Sequence, residues 1–261
     1  RVDRRQRQMC IRDRIMIDIL LIAIIAIIIG ANDASNVFGS AVGSKMLKFK
    51  ISVVFFIIFI ILGSIINAEN PSQVYGNLIL DYPDISKIFL IIIPVVVITI
   101  ISLILKIPSS ISQSVIFSLI GFSFVEKLSI NFDLFYNLIY FWLATPIIAF
   151  ILSILFCRVI NFIFKISRLN IFQIDYQIRL ALIFFGCIAA FALGAHLTAA
   201  IVGIYSPFLD INLNVLNFSL ILNDKKLYLF ASLLIGLGAY LFSQKIVRTI
   251  GCLLYTSDAA D

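Results

Sequence analysis

The chain has 261 residues, of which 62% are hydrophobic and 13% charged, and its mean hydropathy is +1.11. Water-soluble globular domains of ordinary make-up do not reach these values, so the chain is an integral membrane protein. The formal charge of +6 does not point to nucleic acid, because its largest concentration is six arginines in the first 14 residues.

Both ends are charged, polar and unlike the apolar segments beside them. Back-translating Cys252–Asp261 as TGT CTC TTA TAC ACA TCT GAC GCT GCC GAC gives a complementary strand that, read two bases in, encodes Arg5 to Asp13 as they stand. That strand resembles a transposon-type sequencing adapter, so residues 1–14 and 252–261 are expected to be translated adapter and are set aside. Without them the formal charge is +4, since the first 14 residues carry four net positive charges and the last ten two negative ones. Cys10 and Cys252 leave with the ends; Cys157 and Cys187 remain in apolar segments as filler thiols, a disulfide or metal site being the alternative.

Apolar spans follow over 15–43, 51–68, 88–106, 108–125, 136–157, 180–205 and 227–244. They are long enough to cross about 30 Å of hydrocarbon as helices, and the ten-residue alternation of an outer-membrane barrel is absent. Lys45, Lys48 and Lys50 follow the first span; Arg158, Lys165, Arg168 and Arg179 separate the fifth from the sixth; Lys245 and Arg248 follow the seventh. An excess of lysine and arginine marks cytoplasmic loops. The loop 69–87, with Glu69, Asp81 and Asp84, and the loop from Pro207 to Lys226, with Asp210 and Asp224, fall outside. Localisation in the plasma membrane as a multi-pass protein follows.

The first span carries GANDASNVFGSAVGSK from Gly30 to Lys45, which sets Asp33 between Asn32 and Asn36 at membrane depth. A carboxylate in hydrocarbon costs several kcal/mol, so it persists where it meets a cation, a proton or water. Asn32, Asp33 and Asn36 are therefore the candidate cation site, with Asp33 the metal ligand if the cation is Na+. Glycines at 30, 39 and 43 predict a stretch that unwinds mid-helix, close helix packing being the plainer reading.

Pro108 to Gly121 reads PSSISQSVIFSLIG. Pro108 suits the first turn of a helix whose amides, with the hydroxyls of Ser109, Ser110 and Ser112, face outward. Free N–H groups at the positive end of a helix dipole hold a tetrahedral oxyanion without a lysine. Gln113 and Ser114 add donors, and simple capping by serine is the alternative reading.

Residues 191–209, FALGAHLTAAIVGIYSPFL, overlay the first motif, with Gly30, Ala31 and Gly39 on Gly194, Ala195 and Gly203. On the charge assignment the two copies run in opposite directions, the arrangement of an inverted repeat. The organisation expected is a first repeat over 15–157, a cytoplasmic linker over 158–179 and a partial second repeat over 180–251. The fold class is an all-α polytopic membrane protein with inverted-topology repeats, broken helices and a re-entrant Pro-Ser segment, its second repeat incomplete.

GANDASNVFGSAVGSK, PSSISQS, WLATPIIAF at Trp142–Phe150 and GLGAYLFSQKIVRTIG at Gly236–Gly251 together resemble the inorganic phosphate transporter (PiT) family over most of residues 15–251. The resemblance implies cotransport of phosphate with Na+ or H+ through two inverted halves, the cation on Asn32, Asp33 and Asn36 and the anion on Ser109, Ser110 and Ser112. The chain departs from the pattern in its second half, where the signature reads GAHLTAA: His196 and Leu197 replace the Asn-Asp pair and Ala200 the later asparagine. His196 and Thr198 are the polar candidates left there, a packing histidine being the alternative to a proton or anion contact. A second Pro-Ser hairpin is absent.

The function expected is a phosphate permease, with a sulfate permease and a degenerate, non-transporting paralogue as alternatives. Enzyme chemistry is disfavoured, since the single histidine has no serine or carboxylate partner in its own helix. Expected partners are inorganic phosphate, the coupling cation, the lipid bilayer and a second copy in a homodimer, with no resident cofactor and no nucleic acid.

Overall fold

The structure, a computed structural model, describes residues 2–81, 87–105, 109–167, 169–208 and 224–256. Pro108, Asp84, Arg168 and Asp210, named above, lie outside the described residues, as does most of the loop expected over 207–226. Among the described residues eight α-helices succeed one another: α1 Val2–Gly43, α2 Phe49–Asn67, α3 Glu69–Gly76, α4 Ile88–Leu105, α5 Ile111–Glu126, α6 Phe132–Ser167, α7 Ile171–Val202 and α8 Asp224–Thr256, with a 3-10 turn at Gly203–Phe208 after α7. Among the described residues five stretches are long and apolar enough to cross a membrane: Ile19–Gly43, Phe49–Asn67, Phe132–Ser167, Ile171–Tyr205 and Lys225–Val247.

The expectation of an unwound stretch in the first span is not met, because α1 runs unbroken through Gly30 to Gly43. The polar residues of the motif bond to each other and to their own helix, so the backbone ladder is kept. The chain turns instead after Gly43, where Lys45 adopts the left-handed conformation at φ 61°. There the amides of Ser44, Lys45 and Leu47 bond the carbonyls of Ser40, Val42 and Ala41 at 2.9, 3.1 and 3.0 Å, satisfying groups the helix end would leave bare.

Two close helix crossings organise the bundle. α1 packs along α8 and α2 along α7. A Cβ placed on Gly30 would lie 1.8 Å from the Ile235 carbonyl oxygen, and one on Gly238 would lie 1.9 Å from that of Ile27. In the second crossing the same holds for Gly63 against Phe191, at 1.9 Å, and Gly194 against Ile60, at 2.2 Å. Each contacted carbonyl stands three residues before the partner's glycine, so both crossings use one reciprocal register. In a bilayer, where apolar surface gains nothing by leaving lipid for protein, such close backbone approach is what holds helices together. Ala26, Ile29, Phe56, Ile60, Ala190, Ile235 and Ala239 fill the core around the crossings.

The sequence places two spans over 88–106 and 108–125; the structure makes them a hairpin that enters and returns. At its base Lys87 pairs with Glu126, and the Leu80 and Asn131 amides bond the Ser129 and Leu78 carbonyls, both at 2.9 Å. Inside it, Ser118 donates to the Ile91 carbonyl at 2.5 Å. α5 has 16 residues, about 24 Å of helix and short of the ~30 Å hydrocarbon core. Its tip ends beside Asn32, whose amide reaches the Ser109 carbonyl at 3.4 Å. That residue lies about 20 Å along α1 from Ile19 and about 16 Å from Gly43, so the tip meets α1 near the middle of its apolar stretch.

Helix continues into most of the expected 158–179 linker. α6 extends to Ser167 and α7 starts at Ile171 behind Asn170, whose side chain and that of Gln173 form a reciprocal capping box. α6 has no buried residue among those described. Its first turns meet the hairpin through Phe135 and Trp142, whose rings lie 6.3 and 5.8 Å from that of Phe117.

Candidate functional site

The site forms where the middle of α1 meets the hairpin tip. Asn32 and Asp33 are buried at 3% and 5% exposure, whereas Asn36, one turn on, is exposed. Both asparagine amides donate to the same carboxylate oxygen, Asp33 Oδ1, from Asn32 at 3.1 Å and from Asn36 at 3.0 Å. Helical spacing accounts for the Asn36 bond, since residues three apart share a face. Asp33 Oδ2 accepts from neither amide. Ser35 is spent on the backbone, donating to the Asn32 carbonyl at 2.5 Å.

Asn32 also faces the hairpin. Its Nδ2 donates to the Ser109 carbonyl, 77 residues further along the chain, so one amide touches both the carboxylate and the tip. α5 begins at Ile111 with Ser110 as N-cap in an extended conformation and with no side-chain capping bond. The first intrahelical bond runs from the Ser114 amide to the Ser110 carbonyl at 3.1 Å, which leaves the amides of residues 111–113 as the orphan donors of the helix start. Ser110 and Ser112 hydroxyls lie 3.4 Å apart, and Gln113 sits half-buried on the same turn. Ser109 Oγ is buried with no hydrogen-bond partner, a costly state for a hydroxyl and one that a ligand would relieve. Ser114 is occupied, donating to the Ser110 carbonyl at 2.9 Å.

The second-half candidates separate. Thr198 is fully buried and donates to the Gly194 carbonyl at 2.5 Å, so its hydrogen is used within α7. Leu197 packs in the core. His196 projects from α7 toward α3, its ring 6.3 Å from the Tyr75 ring. Tyr75 was hidden in a stretch that composition assigns to a solvated loop, yet it is 2% exposed. Burial pushes its phenol above the usual tyrosine range. Among the described residues no group of three His, Cys, Asp or Glu side chains forms a metal site. A cation here would rely on one carboxylate and neutral oxygens.

The family profile described as the phosphate transporter family matches residues 29–174, more than half of the chain and inclusive of α1's motif and the whole hairpin. The chain belongs to the phosphate transporter family. A presumed phosphate permease of Methanocaldococcus jannaschii is 24% identical over 236 residues, which cover 90% of this chain and 69% of the relative. The fold is similar to the solved structure of the sodium-dependent phosphate transporter, with a TM-score of 0.71 at 15% identity over 92% of this chain and 78% of that one. At such identity the likeness is one of fold. Both the family and the neighbour are transporters and not enzymes.

Proposed function

We propose that this member of the phosphate transporter family is a secondary permease that moves inorganic phosphate together with Na+ or H+. The observation that carries the reading is the single amide of Asn32 joining Asp33 to the hairpin tip. Asp33 is the cation's carboxylate. A half-turn of the Asn32 and Asn36 amides exchanges their NH2 groups for carbonyl oxygens, giving a hard cation such as Na+ three oxygen ligands with Asp33 and releasing the Asn32 bond to the Ser109 carbonyl, so that cation entry is felt at the tip. For H+ coupling, Asp33 itself takes the proton.

The anion belongs at the start of α5, on the free amides of the first turn and the hydroxyls of Ser109, Ser110 and Ser112, with Gln113 beside them. Each ion lowers the cost of desolvating the other, because opposite charges at the same membrane depth attract strongly where water is scarce. Inverted halves and a homodimer belong to the same reading, as do the plasma membrane and a cytoplasmic face marked by Lys45, Lys48, Lys50, Arg158, Lys165, Arg179 and Lys245.

A sulfate permease is the second reading, favoured by Leu197 in place of a second carboxylate. Phosphate at neutral pH can donate a hydrogen bond and sulfate cannot, so a carboxylate acceptor near the anion selects phosphate. The test is uptake of labelled phosphate and labelled sulfate into proteoliposomes under separate Na+ and H+ gradients. Phosphate accumulation that requires one gradient and falls about 100-fold in Asp33→Asn, the loss of ~3 kcal/mol of ion pairing, is expected. Sulfate uptake, or none of either ion, contradicts the reading.

A further inference from the structure

We infer that water reaches the ion site from the end of α1 that carries Lys45, along a polar row of Asn36, Ser40 and Ser44. The inference deepens the reading of Asp33 and the start of α5 as the ion site, and rests on it for the destination of the route. Asn32, Asn36, Ser40 and Ser44 stand four residues apart, so they line one side of α1 over about 18 Å. Asn36 joins the row to the site through its bond to Asp33 Oδ1. The hairpin enters from the opposite end of the bundle, because α2 carries the chain across from Lys48 to Asn67 before it begins. Its first helix, α4, packs on α1, and its tip ends at the Asn32 amide. Beyond the tip, toward Lys45, the same side of α1 opens: among residues 21–44 only Asn36 and Ser40 are exposed.

A side chain that a membrane bundle leaves exposed meets either lipid or water. α2 shows the lipid case, with an exposed row of Val54, Ile58 and Leu62, again four apart. An amide or a hydroxyl in that setting would give up hydrogen bonds to water that hydrocarbon does not replace. Asn36 and Ser40, exposed where α2 presents aliphatic side chains, therefore mark a water-facing side. The opening is also basic. Lys45, Lys48 and Lys50 are exposed beside it. α8 brings the exposed Lys245 to the same end, since its Val247 lines one hollow with Phe38 and Val42. Positive charges gathered at an opening raise the local concentration of an anion.

The experiment is labelling of Ser40→Cys, Asn36→Cys and Val54→Cys in the full chain by a charged, membrane-impermeant maleimide, added to either face of sealed vesicles. Val54 is the lipid-facing control at matching depth, because its neighbours Ser52 and Val53 line the hollow with Phe38 and Val42. Lys48→Cys, exposed at the opening, identifies the face. Peptide mass spectrometry locates each label, so the other cysteines stay in place. The thiolate is the reacting form and requires water, so Ser40→Cys should react at least about tenfold faster than Val54→Cys from the Lys48 face. Asn36→Cys should also outpace Val54→Cys from that face. Ser40→Cys as slow as Val54→Cys, either variant reacting faster from the opposite face, or Asn36→Cys inert beside a reactive Ser40→Cys would each overturn the inference. If Ser40→Cys does not reach the membrane, Asn36→Cys against Val54→Cys decides by the same criteria. No phosphate is present during labelling, so the route is read even if wild-type uptake fails and the phosphate reading falls by itself.

Discussion

At the scale of single residues, the site is a problem of hydrogen-bond supply. Asp33 Oδ1 receives two amide donors, while Ser109 Oγ at the facing tip is buried without a partner. Leaving a hydroxyl unpaired costs about 1–3 kcal/mol, so Ser109→Ala should leave the thermal midpoint equal to or above wild type. Phosphate affinity should fall several-fold in the same variant. A scan of thermal unfolding with and without phosphate checks both, and a drop in unliganded stability would count against a ligand role. Asn32, Asp33 and Asn36 were legible in the sequence because polar groups in an apolar run announce themselves. Tyr75 was not, since a tyrosine in the polar stretch ENPSQVYG gives no sign that a 3-10 turn far along the chain will bury it. Thr198 shows the opposite limit: its type suggested a ligand, and only coordinates reveal that its hydrogen is spent on Gly194.

At the scale of elements, the apolar runs placed the helices well, because membrane helices declare themselves by length and hydropathy. What they did not disclose is how helix ends behave. The glycines of α1 suggested an unwound stretch, but Gly30 serves a crossing with α8 and the ladder stays whole. Gly30→Ala would drive a methyl onto the Ile235 carbonyl, and since that neighbour is backbone it must move the helix. A loss of about 1–3 kcal/mol or more is expected, read as a lower unfolding temperature in detergent, whereas Gly121→Ala, with open space around it, should change little. The end of α5 offers a gain. Lys127 is its C-cap in the left-handed conformation at φ 56° and ψ 39°, and the Leu128 amide bonds the Ser123 carbonyl at 2.9 Å. Lys127→Gly removes the strain of a side chain there and should raise stability by about 1 kcal/mol, a higher midpoint in the same assay.

At the scale of the whole molecule, two glycine-tight helix pairs frame the bundle, and a short hairpin carries its serines to the depth of Asp33. The order of apolar spans and the Pro-Ser run made the membrane class and the hairpin legible, while the meeting of tip and carboxylate depends on a three-dimensional path that no local pattern encodes. The central claim is that a cation at Asp33 and a tetrahedral anion at the start of α5 bind as a coupled pair, which thermodynamic linkage makes reciprocal. The most direct test is the phosphate affinity of the purified chain, titrated at a series of Na+ concentrations and pH values, beside Asp33→Asn. Affinity that strengthens with added Na+ or with falling pH in wild type, and with neither in the variant, is the predicted result. Phosphate binding indifferent to both cations, or equally responsive in Asp33→Asn, would contradict it.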